Sequence, residues 1–412
     1  MKVFNELRFQ IFILWATYFL WSVTQGFVWP FLNLYIYQTS QGDIILTALI
    51  TAVPSFITIF SVGFWGWCID KLKNNTFFAM LGLFSAALLY FLGTLITDAF
   101  LFFFTYSALS FFINAYVPAS QSYTSFQSER SGQSFGNLFA VASIGWFLGT
   151  ITSGMFYDLL GMVFLFKLGL IVLFIGGILS IFGFRRGKID SYNSVEEILP
   201  SSWNAILRNR VIVIICLVGG VYQLLSSIVT AYFSIYIQEI GGGSFIVGSA
   251  LALASLTGTG LVALFGRLSE KWGVRKPFII YSVGGLFVAS IICYLLPHPL
   301  VVGYIWGGIP FYPGLLTGAY AMLADGSKES DRGKAVGFFN ALSNLGLVIG
   351  PFCGAWIIIE LGMRTNFLVV GFLELVLLIF VIFFVKESKY RFLRKHFYLD
   401  LKLHESVLNY NK

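Results

Sequence analysis

Charge is what this sequence has least of. Only 11% of its 412 residues are Asp, Glu, Lys or Arg, against about 25% in soluble domains. So little polar surface cannot coat a core facing water, and a soluble globular class is excluded. Histidine is nearly absent: His298, His396 and His404 all fall in loops or the tail, which leaves no histidine proton relay. The four cysteines, Cys68, Cys216, Cys293 and Cys353, have no paired spacing, so neither a disulfide framework nor a metal site is expected. Nothing matches a phosphate-cradling glycine loop, so ATP is not an energy source within this chain. An intramembrane enzyme would need several His, Asp, Glu or Ser–His groups at one depth, and no such cluster exists. No cofactor is expected.

What the chain has instead is long apolar runs. Hydrophobic residues make up 58% of it, and twelve runs of about 20 to 26 residues match the length needed to cross a roughly 30 Å hydrocarbon core. They lie near 11–37, 44–66, 75–96, 100–124, 134–157, 162–184, 211–238, 245–266, 277–296, 299–324, 335–358 and 366–385. The first is too long, and lacks the small-residue site, for a cleaved signal peptide. With the spans alternating in direction, all of the 26 Lys and Arg except Lys167 and Arg364 fall on one side. That asymmetry places both termini in the cytoplasm of a multi-pass cell-membrane protein. The net charge of +7 is thus a topology signal and not a nucleic-acid footprint.

The chain repeats itself. Gly132, Gly136, Gly145 and Gly149 recur 201 positions later as Gly333, Gly337, Gly346 and Gly350, followed there by Pro351 and Gly354. Self-similarity at half the chain length means a tandem duplication, and glycines at helical spacing make a smooth face that another helix backbone approaches closely. A second repeat follows the second span of each half. Gly66, Asp70, Lys71 and Lys73 match Gly266, Glu270, Lys271 and Gly273, with Arg275 and Lys276 completing the later copy.

Two six-span halves, an acid-and-cation loop after spans 2 and 8, and glycine strings in spans 5 and 11 resemble the major facilitator superfamily over residues 8–386. The glycine-proline string is closest to the drug-efflux members. The first loop departs in having Lys73 at the second glycine position. Span 5 departs in having Thr150 where the string has its proline, and span 4 in lacking an arginine. The resemblance implies an all-α integral membrane fold of twelve helices in two pseudo-symmetric bundles, 1–184 and 211–386. These are joined by a cytoplasmic linker, 185–210, and followed by an amphipathic cytoplasmic tail, 387–412.

It also implies that spans 1, 4, 7 and 10 line a central pathway. On span 1, Trp21, Gln25, Trp29 and Asn33 share one helix face. Span 4 carries Ser107, Ser110, Asn114, Gln121 and Ser125. Span 7 carries Gln223, Ser227, Thr230 and Ser234 with Tyr232 and Tyr236 alongside, and span 10 carries Tyr304, Phe311, Tyr312 and Tyr320 around Pro310 and Pro313. Polar stripes on apolar helices belong against a wet cavity or other helices. None of these four spans holds a charged residue at mid-depth, so the pathway suits a neutral or weakly cationic amphiphile bound by stacking and cation–π attraction. By the same resemblance, Asp70 and Glu270 are gating latches facing the starts of spans 11 and 5 when the cytoplasmic side is shut. The candidates for a proton site are Glu374, inside span 12, and Asp325, at the end of span 10.

The function expected is secondary transport by alternating access, foremost efflux of hydrophobic, neutral or weakly cationic compounds. Uptake of a neutral solute such as a sugar is the second reading, and a non-transporting sensor the rival from another class. Expected partners are a small-molecule substrate, protons and the bilayer, with the chain a monomer. Two interfacial helices are also expected: one at Trp203, Ile206 and Leu207, and one in the tail at Tyr390, Leu393, Phe397 and Leu401.

Overall fold

The computed structural model describes residues 2–126, 131–184, 203–328 and 331–387. The expected tail stripe beyond 387 and most of the linker lie outside them. Apart from short turns, the described residues are helical.

Among the described residues, eleven helices are long and apolar enough to cross a membrane. Ten are single spans: Phe9–Thr39 (span 1), Ile44–Leu72 (2), Asn75–Gly93 (3), Ala99–Thr124 (4), Arg210–Glu239 (7), Ser244–Trp272 (8), Lys276–Leu295 (9), Pro299–Gly326 (10), Arg332–Leu361 (11) and Met363–Phe384 (12). The eleventh, Gln133–Phe182, has 50 residues and would run about 75 Å if straight, far more than the bilayer's apolar core. It turns back at Gly161, whose φ of 72° and ψ of 179° are non-helical. On the way out Gly149 meets Val23 and Gly26, and on the way back Gly183 meets Ile13. It is therefore spans 5 and 6, and the total is twelve. Its counterpart, Gly362 between spans 11 and 12, has nearly the same backbone angles (φ 85°, ψ 160°). Only glycine enters that region without strain.

The glycine strings do what their spacing predicts, in part. A Cβ on Gly145 would sit 2.7 Å from the Phe19 carbonyl oxygen, and one on Gly346 2.6 Å from the Leu224 nitrogen. Spans 5 and 11 therefore press their backbones onto spans 1 and 7, one tight pair in each half. Gly136, Gly333 and Gly337 have nothing within 4 Å. The halves meet chiefly through span 8 on span 5 and span 11 on span 2.

The two ends of the molecule differ. At the end opposite the termini, here the outer end, the Gln38 amide donates to Gln238 Oε1 at 3.0 Å, and Gly154 of span 5 lies against Gly248 of span 8. Farther in, the Thr259 hydroxyl of span 8 donates to the Ser143 hydroxyl of span 5 at 2.6 Å. Beyond it the glycines of both spans, Gly136, Gly260 and Gly266, face open space. The halves are splayed at the inner end and sealed at the outer end. Trp203–Arg208 forms a short helix at the inner end, where Lys334 lies over the Trp203 ring at 5.8 Å.

Candidate functional site: a central cavity without charge

Between the halves lies a cavity of about 970 Å³, wide enough for a drug-sized molecule. Breaks in the helices shape it. Span 4 is interrupted at Asn114 and Ala115, span 7 at Ala231 and Tyr232, and span 10 from Gly308 to Phe311 after a π-helical turn, Val302–Gly307. Each break frees backbone groups that a side chain must satisfy. The Asn33 amide donates to the freed Ala231 carbonyl at 2.6 Å and its oxygen accepts from Thr51 at 2.9 Å. The Asn114 amide donates to Thr58 at 3.0 Å and Ser61 at 2.9 Å.

Of the residues named from sequence, Trp21, Gln25, Trp29, Asn33, Ser110, Asn114, Gln223, Ser227, Thr230, Ser234, Phe311, Tyr312 and Tyr320 line this cavity. Gln121 and Tyr232 do not. Gln121 lies on the Tyr18 hydroxyl within the first half. Tyr232 is buried and donates to the Pro351 carbonyl at 2.7 Å, tying span 7 to span 11. Ser107, Tyr304 and Tyr236 also lie outside the lining; Tyr304 reaches Ser249 of span 8 instead. Spans 2, 5, 8 and 11 add lining residues that the four-span expectation missed: Thr51, Ser55, Thr58, Ser143, Trp146, Ser255, Asn340 and Ser343. The 4-then-3 spacing of Thr51, Ser55 and Thr58 was a readable signal of a polar face.

Among the described residues that line the cavity, none is Asp, Glu, Lys, Arg or His. Among the polar groups with spare capacity are two amides. Gln25 and Gln223, 198 positions apart on spans 1 and 7, have no hydrogen-bond partner among the described residues and are only half-buried. Beside them Trp29 and Trp146 stand 5.6 Å apart at a 58° tilt, and Trp29 is 45% exposed to the cavity. The arrangement can offer hydrogen bonds and π faces to a ligand, with no charge for an anion to meet.

The charged groups sit elsewhere. Glu374 is completely buried in span 12, neither carboxyl oxygen has a partner among the described residues, and it does not line the cavity. Asp325 lies 3.4 Å from the Arg275 guanidinium and is also outside the lining. Lys167 is exposed on span 6.

The two inner loops are unequal. Arg275, 4% exposed, pairs with Glu270 at 2.8 Å as well as with Asp325, contacts Ser269, and its backbone N–H donates to Glu387 at 2.9 Å. This clasp joins spans 8, 9, 10 and 12. In the first half the loop is one residue shorter, and Asn74 and Asn75 replace Arg275 and Lys276. Asn74 caps span 3 and Asn75 donates to the Ala119 carbonyl at 2.9 Å. Lys73 nevertheless takes the left-handed conformation of Gly273, φ 51° against 70°, at a cost of roughly 1–2 kcal/mol for a residue with a Cβ. Asp70 is exposed, Lys71 lies 4.9 Å over the Trp67 ring, and Gly66 and Gly266 have open space around them. In this conformation Glu270 pairs with Arg275 in its own loop at 2.8 Å.

One residue went unnoticed in the sequence. Asp158, at the outer end of span 5, accepts from the Ser244 backbone N–H at 2.7 Å and from its hydroxyl at 2.6 Å. Span 2 starts with its own cap, Asp43, bonded to the N–H groups of Ile45 and Leu46. The equivalent position before span 8 is Gly243, which has no side chain. Asp158 of the opposite half supplies that missing cap, so a helix N-terminus is completed only while the outer end is shut.

Two halves of six helices around a mid-membrane cavity, sealed at one end and open at the other, define an alternating-access membrane transporter. The chain belongs to the Major Facilitator Superfamily, whose family model matches residues 14–313 and 227–398. It is 24% identical over 382 residues to the multidrug resistance protein MdtG of Proteus mirabilis (strain HI4320), covering 88% of this chain and 92% of that one. It is 29% identical over 173 residues to the multi-drug resistance efflux pump PmrA of Streptococcus pneumoniae serotype 4, covering 39% and 41%. Among solved structures, the nucleoside transporter NupG superposes with a TM-score of 0.73 at 12% identity, over 93% of this chain and 99% of that one.

Proposed function

We propose that the chain exports hydrophobic, neutral or weakly cationic small molecules across the cell membrane, its inner end and both termini facing the cytoplasm. The observation that carries the reading is the cavity lining: aromatic rings and two unpaired amides, with no charged side chain among the described residues. A cation–π contact is worth about 0.5–2 kcal/mol, whereas an anion would lose its water to a cavity with no cation to replace it. The MdtG and PmrA names fit this choice. An open inner end with a sealed outer end is the conformation in which an exporter loads.

The same lining also suits a neutral polar solute. The free Gln25 and Gln223 amides favour this second reading, in which such a solute passes down its gradient. Inner closure, we propose, brings Asp70 to the start of span 11 and Glu270 to the start of span 5, where a carboxylate gains roughly 0.3–1 kcal/mol from a helix N-terminus. The chain works as a monomer in the bilayer.

Reconstituted vesicles with an imposed pH gradient, loaded with ethidium, a neutral dye, a sugar or a nucleoside, test the reading. Dye efflux that collapses with the gradient supports proton-coupled export. A neutral solute that equilibrates without any gradient dependence replaces export with facilitated transport, and no flux of any compound rejects both.

A further inference from the structure

A second hollow, of about 610 Å³, opens on the lipid-facing side between spans 9, 10 and 12. Its wall is apolar but for the Tyr281 hydroxyl, which is engaged on the Pro310 carbonyl at 3.3 Å. Two residues, Ile309 and Phe311, line both this crevice and the central cavity. The partition between lipid and cavity is therefore one side chain thick. It lies ten residues along span 10 from Pro299, about 15 Å at the helical rise and so near the middle of a roughly 30 Å hydrocarbon core.

The thinness has a local cause. Residues 308–311 are the break in span 10, and the ends of the break are held by span 9. The Ser282 hydroxyl donates to the Phe311 carbonyl and accepts from the Leu315 N–H at 2.6 Å. With the backbone pinned this way, the Phe311 ring closes the gap by leaning on Gly285, which has no side chain to meet it. Next to it Gly284 has only the Leu378 methyl groups nearby, at 3.7 Å. The first half has no such notch. The residues 201 positions earlier are Leu83, fully buried, and Phe84, whose ring fills the space at Gly177.

We propose a lateral port between spans 9 and 10, closed by Phe311 and Ile309, through which an apolar molecule dissolved in the bilayer reaches the central cavity. The proposal rests on the export reading above and names the route by which its substrate arrives. Phe311 is the door because a rotamer change moves its ring while Ser282 keeps the backbone still. A strongly polar solute is not offered this route, since it does not dissolve in hydrocarbon and the one hydroxyl in the crevice wall, on Tyr281, is already engaged on the Pro310 carbonyl.

Photolabelling of the full-length protein in vesicles tests this, with trifluoromethyl-phenyl-diazirine supplied in the lipid and adducts mapped by mass spectrometry. In the wild type, adducts are expected on Val288 in the crevice and on Gln223 and Tyr312 in the cavity. Two plugs, Gly284→Trp and Val288→Trp, are each expected to lose the cavity adducts and keep those on the rest of the lipid-facing surface. Phe311→Ala is expected to raise them. Cavity adducts unchanged in both plugged variants would mean that the label enters by the inner mouth and would overturn the port. Adducts confined to the crevice in the wild type and in Phe311→Ala would do the same. Labelling requires no turnover, so a wild type that moved no dye would reject the export reading and leave this result readable.

Discussion

Removing the carboxylate of Asp158 should tip the resting conformation. Its two oxygens take the Ser244 N–H and hydroxyl across the interface between the halves, and Ser244 is fully buried there. A hydrogen bond to a charged group contributes about 1.5–3 kcal/mol, and a negative charge at a helix N-terminus about 0.3–1 kcal/mol more. When the outer end opens, both partners are returned to water, so only the sealed state loses by the substitution. Asp158→Ala should therefore favour the outward-open state by about 2 kcal/mol, roughly thirtyfold in population at 1.4 kcal/mol per decade. Asp158→Asn keeps a neutral acceptor and should shift it by about 1 kcal/mol, some fivefold. Spin labels at Gln41→Cys and Glu239→Cys, exposed sites on opposite halves of the outer end, report the change by pulsed electron resonance in a background with the native cysteines replaced. The wild type should give mainly the short distance, the Asn variant a mixture and the Ala variant mainly the long one. An Ala variant with the wild-type distribution would refute the trans-cap.

Other consequences follow from the same geometry. Gly350→Val should lower the melting temperature by several degrees, since a side chain there meets the Leu224 carbonyl at 2.6 Å and overpacking costs about 1–3 kcal/mol. Gly337→Val should fold normally, because nothing lies within 4 Å of Gly337, yet slow dye flux by obstructing inner closure; paired melting and flux measurements separate the two. Asp70→Asn should impair flux with expression intact, and a wild-type rate would remove the latch at the start of span 11. Glu374→Leu should raise the melting temperature, because a buried carboxyl without a partner costs about 1–3 kcal/mol, and should leave flux within about twofold of wild type because the residue lies outside the cavity; abolished gradient dependence would instead make Glu374 the proton carrier.

The fold was largely readable because its determinants are local and periodic. Apolar run length marked each span, and the paired glycine strings marked the tight contacts of span 5 on span 1 and of span 11 on span 7. The cavity was half readable. Stripes on spans 1 and 7 pointed to Gln25 and Gln223, whereas Tyr232, named alongside the span 7 stripe, turns toward the Pro351 carbonyl. Gln121 lies beyond the break at Asn114. On span 2 the spacing of Thr51, Ser55 and Thr58 marked a polar face, but that spans 2, 5, 8 and 11 reach the cavity depends on how whole helices pack, which spacing along one helix does not encode. Asp158 stayed hidden because its role is defined by an absence in another half: Gly243 lacks a cap, and only the closed outer end brings the two together.

The lack of charge in the cavity is tested most directly by ligand binding. One aromatic scaffold, prepared as neutral, monocationic and anionic derivatives of equal size, would be titrated against the purified protein while the fluorescence of Trp29 and Trp146 is followed against a Trp29→Phe/Trp146→Phe control. The neutral and monocationic forms should bind, with the anion at least about tenfold weaker, a difference of roughly 1.4 kcal/mol. An anion that bound as tightly as the neutral form, with the signal lost in the control, would contradict the account.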